Sequence, residues 1–426
     1  MSIESLGEHQ LLSERKFPKS VIASWASFDF AQSSYSVIII TFVYPIFFGE
    51  TIVQDGRGDF WWGIAMSLSM LLVALITPSL GAMADYTGSK KRFLAVFAGV
   101  CILGTMSMYF LQPGMVFAGI ALFVLANAGF EGGMVFYDAY LPKITSKETY
   151  GRVSGIGFAA GYVGCLAALV LTMAFVSQTP PLVRECFLAT GAFFLVFSIP
   201  LFLRVPEVAI KRTMPILDII RHGIRENVRT IRKIREHKDV FRFLVAFFVY
   251  NDAILTVIGF SGRYAKNSLH FTTPQLAYFF MIVQVVAIVG SLAFGVITDR
   301  TGPKFTIVVT LAIWIGVVIA AFFADTISTF YVVGAVAGLV LGATQSASRS
   351  MMALLTPQEH TAEFFGFYDG FCGKASAVIG PLVYGVLSNA FGQRPAIVTL
   401  GVFFVVGIIL VRGLRGEAAQ APARSH

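Results

Sequence analysis

Five stretches of this chain, 61–84, 93–130, 153–183, 305–324 and 326–348, contain no Asp, Glu, Lys or Arg. A helix needs about 20 mostly apolar residues to cross a bilayer, so the second stretch must hold two crossings. Gln112, Pro113 and Gly114 divide it, because proline has no amide to donate and glycine accepts a turn. At 56% hydrophobic and 13% charged over 426 residues, the chain has too little polar material to cover a surface in water. The expected fold class is an all-α polytopic membrane protein.

Turn and charge signals place spans near 21–48, 60–84, 93–111, 115–139, 151–176 and 186–203, then near 241–264, 274–297, 304–323, 328–348, 364–388 and 395–412. The expected organisation is a tail over 1–20, a six-helix half over 21–203, a linker over 204–240, a second half over 241–413 and a tail over 414–426. Lys and Arg resist translocation. With the N-terminus inside, 26 of the 32 fall on one side and five on the other, leaving Lys374 within a span. Both termini are therefore expected in the cytoplasm, and in that count Arg349 belongs to a cytoplasmic loop. The first twenty residues are charged and lack an apolar core, so they do not read as a cleavable signal peptide.

The linker places Ile216, Ile220, Ile224, Val228, Ile231 and Ile234 at helical spacing among arginines. That pattern suits a helix lying on the membrane surface against the headgroups of membrane lipids. A calmodulin-like or nucleic-acid contact is the competing reading of the same composition. The net charge of +8 lies between spans and not on a soluble basic face, so no nucleic-acid partner is expected. Cys101, Cys165, Cys186 and Cys372 have neither metal-ligand spacing nor a pairing pattern, which predicts packed thiols, no disulfide and no metal. No phosphate-binding glycine loop is present, and no cofactor is expected.

Two patterns recur. Gly81, Asp85, Gly88, Lys90 and Lys91 join spans two and three, and Gly295, Asp299, Arg300, Gly302 and Lys304 join spans eight and nine, 214 residues later. Pro142, Glu148, Tyr150, Gly151 and Gly155 return as Pro357, Glu363, Phe365, Gly366 and Gly370 at an offset of 215. Two patterns repeated with one residue of slippage describe parallel halves, as in alternating-access carriers.

The glycine, aspartate and basic residues of both loops resemble the signature loop of the major facilitator superfamily. The blocks around Trp25 to Tyr35, Asn127 to Gly133, Phe136 to Pro142, Tyr250 to Asp252 and Glu363 to Gly366 are similar to the vacuole-effluxer family of autophagy-linked amino-acid exporters and its bacterial relatives. The resemblance implies a major facilitator fold of twelve transmembrane helices in two halves, working as a monomer on a small-molecule substrate. It further implies that Asp85 caps the start of span eleven near Thr361 to Phe364 and that Asp299 caps the start of span five. Lys90, Lys91, Arg300 and Lys304 would complete the charge network. The competing reading makes all of these solvated turn residues that fix topology. With no Asn-x-Ser/Thr acceptor and no long extramembrane insertion, the chain suits a bacterial cytoplasmic (inner) membrane better than a fungal vacuole.

Ionisable groups at mid-membrane cost at least about 2.5 kcal/mol and normally face a cavity or a partner. Asn127, Glu131 and Asp138 share one face of span four, span one carries Asp29, Gln32 and Tyr35, and span seven carries Asn251 and Asp252. The resemblance implies that spans one, four, seven and ten line the cavity, and span ten offers Gln345. Lys374 needs a counter-ion or a substrate carboxylate, and the sequence leaves both open. The six histidines lie outside the spans, so any coupled protons fall to carboxylates, Glu131 and Asp252 first and then Asp29; the alternative for each is a hydrogen-bonded structural acid. The expected function is secondary active transport of small polar solutes, amino acids by resemblance, with proton coupling. A non-transporting receptor or scaffold is the alternative, as is a carrier of peptides, amines, nucleosides or drugs. No nucleophile and base pair points to an enzyme.

Overall fold

A computed structural model describes residues 18–179, 182–207, 237–376 and 379–414. The tails and most of the linker, including its apolar stripe, lie outside the described residues. In lipid a backbone has no water to bond, so each spanning segment must satisfy itself as a helix. Twelve helices are long and apolar enough to cross a membrane: α1 (Lys19–Ile52), α2 (Phe60–Thr87), α3 (Lys90–Phe110), α4 (Val116–Ile144), α5 (Lys147–Val176), α6 (Val183–Arg204), α7 (Lys238–Lys266), α8 (Pro274–Thr301), α9 (Pro303–Phe323), α10 (Ile327–Leu355), α11 (Thr361–Phe391) and α12 (Gln393–Arg412). The chain is all-helical in its described spans and has the major facilitator fold.

Helix ends follow local chemistry. Thr272 and Gln275 form a capping box at the start of α8, and the Thr326 hydroxyl accepts the Thr329 amide at 3.1 Å at the start of α10. The two loops turn at glycines with positive φ, Gly88 at 65° and Gly302 at 85°. Between α1 and α2 the amide and guanidinium of Arg57 hold the exposed Asp55 carboxyl below its ordinary range. Large apolar side chains such as Leu103, Phe117, Val170 and Leu203 are exposed, as a lipid-facing surface requires, while Trp25, Tyr137 and Trp314 are buried.

One helix runs furthest beyond its sequence reading. α10 runs to Leu355 and not to 348, because Arg349 does not end it. Arg349 is 0% exposed inside the helix and bonded to the protein, so it belongs to no loop. Lys374 is therefore not the one base placed inside the spans.

The described residues fall into two compact units, which divide two helices. Residues 146–159, which open α5, belong with those of 237–358 and 372–414, whereas residues 359–371, which lead into and begin α11, belong with those of 18–145 and 160–207. Within the second unit α8 and α10 approach closely enough that a Cβ on Gly338 would come 3.0 Å from the Val283 Cα. Gly338→Val is expected to destabilise the protein by about 1–3 kcal/mol through overpacking, read as a lower Tm in detergent. Gly316→Val, where a Cβ meets nothing within 4 Å, is expected to leave Tm unchanged.

Candidate functional site

The first amides of a helix have no carbonyl to accept them, and the positive end of the helix dipole lies there. In the first unit Asp85, near the end of α2, serves the opening turn of α11. Its Oδ2 accepts the Glu363 amide at 2.8 Å, and its Oδ1 lies 2.6 Å from Lys90 Nζ. Lys90 also donates to the Thr361 hydroxyl of that turn, and the Lys90 and Asp85 side chains are buried. Gly81 makes room, since a Cβ there would come 2.9 Å from the Glu363 Cα. His360 Nδ1 stands 3.0 Å from Glu363 Oε2 and orients the same turn.

The second unit repeats the device with different parts. Asp299 Oδ1 accepts the Arg152 amide of α5 at 3.1 Å, and Arg152 Nε lies 3.6 Å from Oδ2. The charge network differs from the one expected of the loops. Lys91 serves the exit of α6, its amide donating to Glu207 Oε1 and its Nζ to the Val205 carbonyl, each at 2.7 Å. Lys304 donates to the Leu414 carbonyl at 2.7 Å, and Arg300 is exposed. Of the four basic loop residues, Lys90 alone is paired with a loop aspartate among the described contacts. Arg152 takes the place beside Asp299, a partner signalled in sequence only by its position after Gly151.

The intramembrane candidates divide between the units. Asp29, Gln32, Tyr35, Asn127, Glu131 and Asp138 fall in the first, and Asn251, Asp252, Gln345 and Lys374 in the second. Asp29 of α1 accepts Gln32 Nε2 at 2.9 Å and the Tyr137 hydroxyl of α4 at 3.2 Å. Tyr137 in turn stacks on Trp25 with ring centroids 4.5 Å apart, and its carbonyl accepts the Trp25 indole N–H at 3.1 Å. Asn127 donates to the Ser69 hydroxyl of α2 at 2.7 Å, one helical turn from Glu131, and both are buried. Tyr35 packs against Phe130 of α4, with centroids 5.0 Å apart.

In the second unit α7 holds α11. Asp252 Oδ2 accepts the amide of Gly380 of α11 at 2.7 Å. Asn251 Nδ2 donates to Ser376 Oγ at 2.8 Å and to the Gly373 carbonyl at 3.4 Å, on either side of Lys374. The Tyr250 and Ser348 hydroxyls share a hydrogen bond of 2.7 Å between α7 and α10. Tyr137, Ser69 and Ser376 are neutral polar residues that sequence reasoning passed over, since a lone hydroxyl or phenol in an apolar run carries no charge signal. Among the described residues no group of three or more His, Cys, Asp or Glu could hold a metal ion.

The family described as Vacuole effluxer Atg22 like matches residues 63–421. The chain is 29% identical over 402 residues to an uncharacterised MFS-type transporter, YxiO, of Bacillus subtilis (strain 168), covering 91% of this chain and 93% of that protein. It is 25% identical over 414 residues to autophagy-related protein 22 of Coccidioides immitis (strain RS), covering 78% of this chain and 68% of that protein. In fold it is similar to the human organic anion transporter MFSD10 (TETRAN), with a TM-score of 0.74 at 14% identity, across 92% of this chain and 99% of that one. Tyr137→Phe keeps the ring stack and removes the hydroxyl given to Asp29. It is expected to cost about 1 kcal/mol, measured as a reduced Tm of the purified protein.

Proposed function

The chain belongs to the Atg22-like vacuole effluxer family, an integral membrane transporter of the major facilitator superfamily and not an enzyme, and on that premise we propose that it moves amino acids or related small polar solutes by proton-coupled alternating access. The observation that carries the reading is the pair of aspartates, each bonded to the opening turn of a helix from the other sequence half: Asp85 to Glu363 and Asp299 to Arg152. Such a bond is a latch. It stabilises one state of the carrier and has to break for the other to form, which gives transport two alternating states.

Glu131 is the proton carrier in this reading. It is a buried acid on α4, one turn from Asn127 and on the helix that also bonds Asp29. With the six histidines outside the spans, a coupled proton falls to an intramembrane carboxylate. Lys374 supplies the positive charge for a substrate carboxylate, with Asn251 and Asp252 fixing the residues around it. Gln345, on α10, contributes a hydrogen-bonding amide. The amino-acid substrate class rests on the resemblance to the amino-acid exporters, and a bacterial cytoplasmic membrane on the lack of glycosylation acceptors and of large insertions.

Purified protein warmed with amino acids, peptides, amines and nucleosides tests the substrate, and a rise in Tm with amino acids alone is expected. In proteoliposomes Glu131→Gln is expected to retain exchange while losing accumulation driven by a pH gradient. Glu131→Gln that still accumulates substrate against the gradient removes Glu131 from the mechanism.

A further inference from the structure

We infer that Arg349 is the buried cation of the second latch, filling from α10 the role that Lys90 fills in the first. At the repeat offset of 214 the counterpart of Lys90 is Lys304. Lys304 is turned away, its ammonium donating to the Leu414 carbonyl. The start of α5 is held by a different base. Arg349 Nε donates to the Ser154 hydroxyl at 3.0 Å, Nη2 donates to the Ser154 carbonyl at 2.8 Å, and the guanidinium lies 3.9 Å from the centre of the Phe158 ring. The Ser154 hydroxyl donates onward to the Ser346 carbonyl at 3.0 Å, and the Ser346 hydroxyl donates to the Gly151 carbonyl at 3.3 Å.

Every one of these contacts falls on the first four turns of α5, in the segment 146–159 that Asp299 also grips. The two grips are complementary. Asp299 takes an amide at the helix start, and Arg349 takes a hydroxyl, a carbonyl and a ring face further in. A planar guanidinium presents its N–H edge to the two oxygens and its face to the ring. Arg349 is 0% exposed, and its bonds are charge-assisted in a setting without water, where such bonds are strong and costly to break. At the repeat offset of 215 the first half has Met134 in its place, so the clamp belongs to one half only. The first latch draws its buried cation from the loop, and the second draws its own from a membrane helix. Arg349 is thus a positioning residue for the transport cycle: it sets how firmly the opening turns of α5 stay with α8 and α10.

This inference rests on the alternating-access reading of the loops, and its test needs no substrate, so its failure is separable from a failed substrate or proton assay. Ala353 of α10 is 2% exposed. In a protein with its four native cysteines replaced by serine, Ala353→Cys is labelled with a membrane-impermeant maleimide. Removing charge-assisted bonds in Arg349→Met is expected to speed labelling at least about tenfold. Lys90→Met is expected to act in the same direction, and Lys304→Met to leave the rate at the parental value. Ser154→Ala and Phe158→Leu, smaller changes on the other side of the clamp, are expected to give intermediate acceleration and decide the matter if Arg349→Met does not fold. Folded Arg349→Met with parental labelling overturns the inference, as does acceleration by Lys304→Met equal to that of Arg349→Met, or parental rates in both Ser154→Ala and Phe158→Leu when Arg349→Met is lost.

Discussion

A helix beginning near a membrane face brings amides with no carbonyl to accept them, in surroundings where an unmet amide costs several kcal/mol. The carboxylates of this chain answer that constraint repeatedly. Asp85 meets the start of α11 and Asp299 meets the start of α5, while Asp252 accepts the Gly380 amide within α11. The first two bonds each set a negative charge at the positive end of a helix dipole, and so each is at once a satisfied hydrogen bond and an electrostatic anchor. Glycines allow the approach, since a Cβ on Gly81 or Gly151 would intrude on the helix opposite. Close packing and loop chemistry are in this sense one arrangement.

A carboxylate used this way is not free for other work. Asp29 and Asp252 both entered as proton candidates, and both lie in explicit hydrogen bonds: Asp29 with Gln32 and Tyr137, Asp252 with Gly380. These bonds give both a fixed geometry. Glu131 lies on an α4 face that it shares with Asn127, and the functional reading puts the proton there.

The architecture was legible because its signals are cumulative. Uncharged runs gave the twelve spans, and the paired Gly81/Gly295 and Asp85/Asp299 positions gave the repeat, with the aspartates themselves named as caps. The partners of the basic residues were not legible. Lys90 and Lys304 occupy equivalent positions and have unlike contacts, and nothing local separates them. Arg349 was read as a loop residue because a charge after an apolar run ordinarily marks a membrane boundary. Its compensation lies 195 residues away at Ser154, beyond the reach of any window. One faint cue existed: Arg349 follows Gln345 by four residues and so continues a polar face of α10.

The division of α5 and α11 between the compact units bears on how such a chain could arise. A six-helix repeat carries a loop aspartate, but the helix start that this aspartate binds is supplied by the other repeat. A lone repeat would leave its carboxylate unanswered and its own opening turn unanchored. Two copies exchanging those turns would complete each other, which is the logic of a domain-swapped dimer. Fusion of the copies would then convert a concentration-dependent pairing into an intramolecular one and free each half to diverge. Met134 stands at the position equivalent to Arg349, so the two halves already differ at the clamp, as two fused copies are free to do.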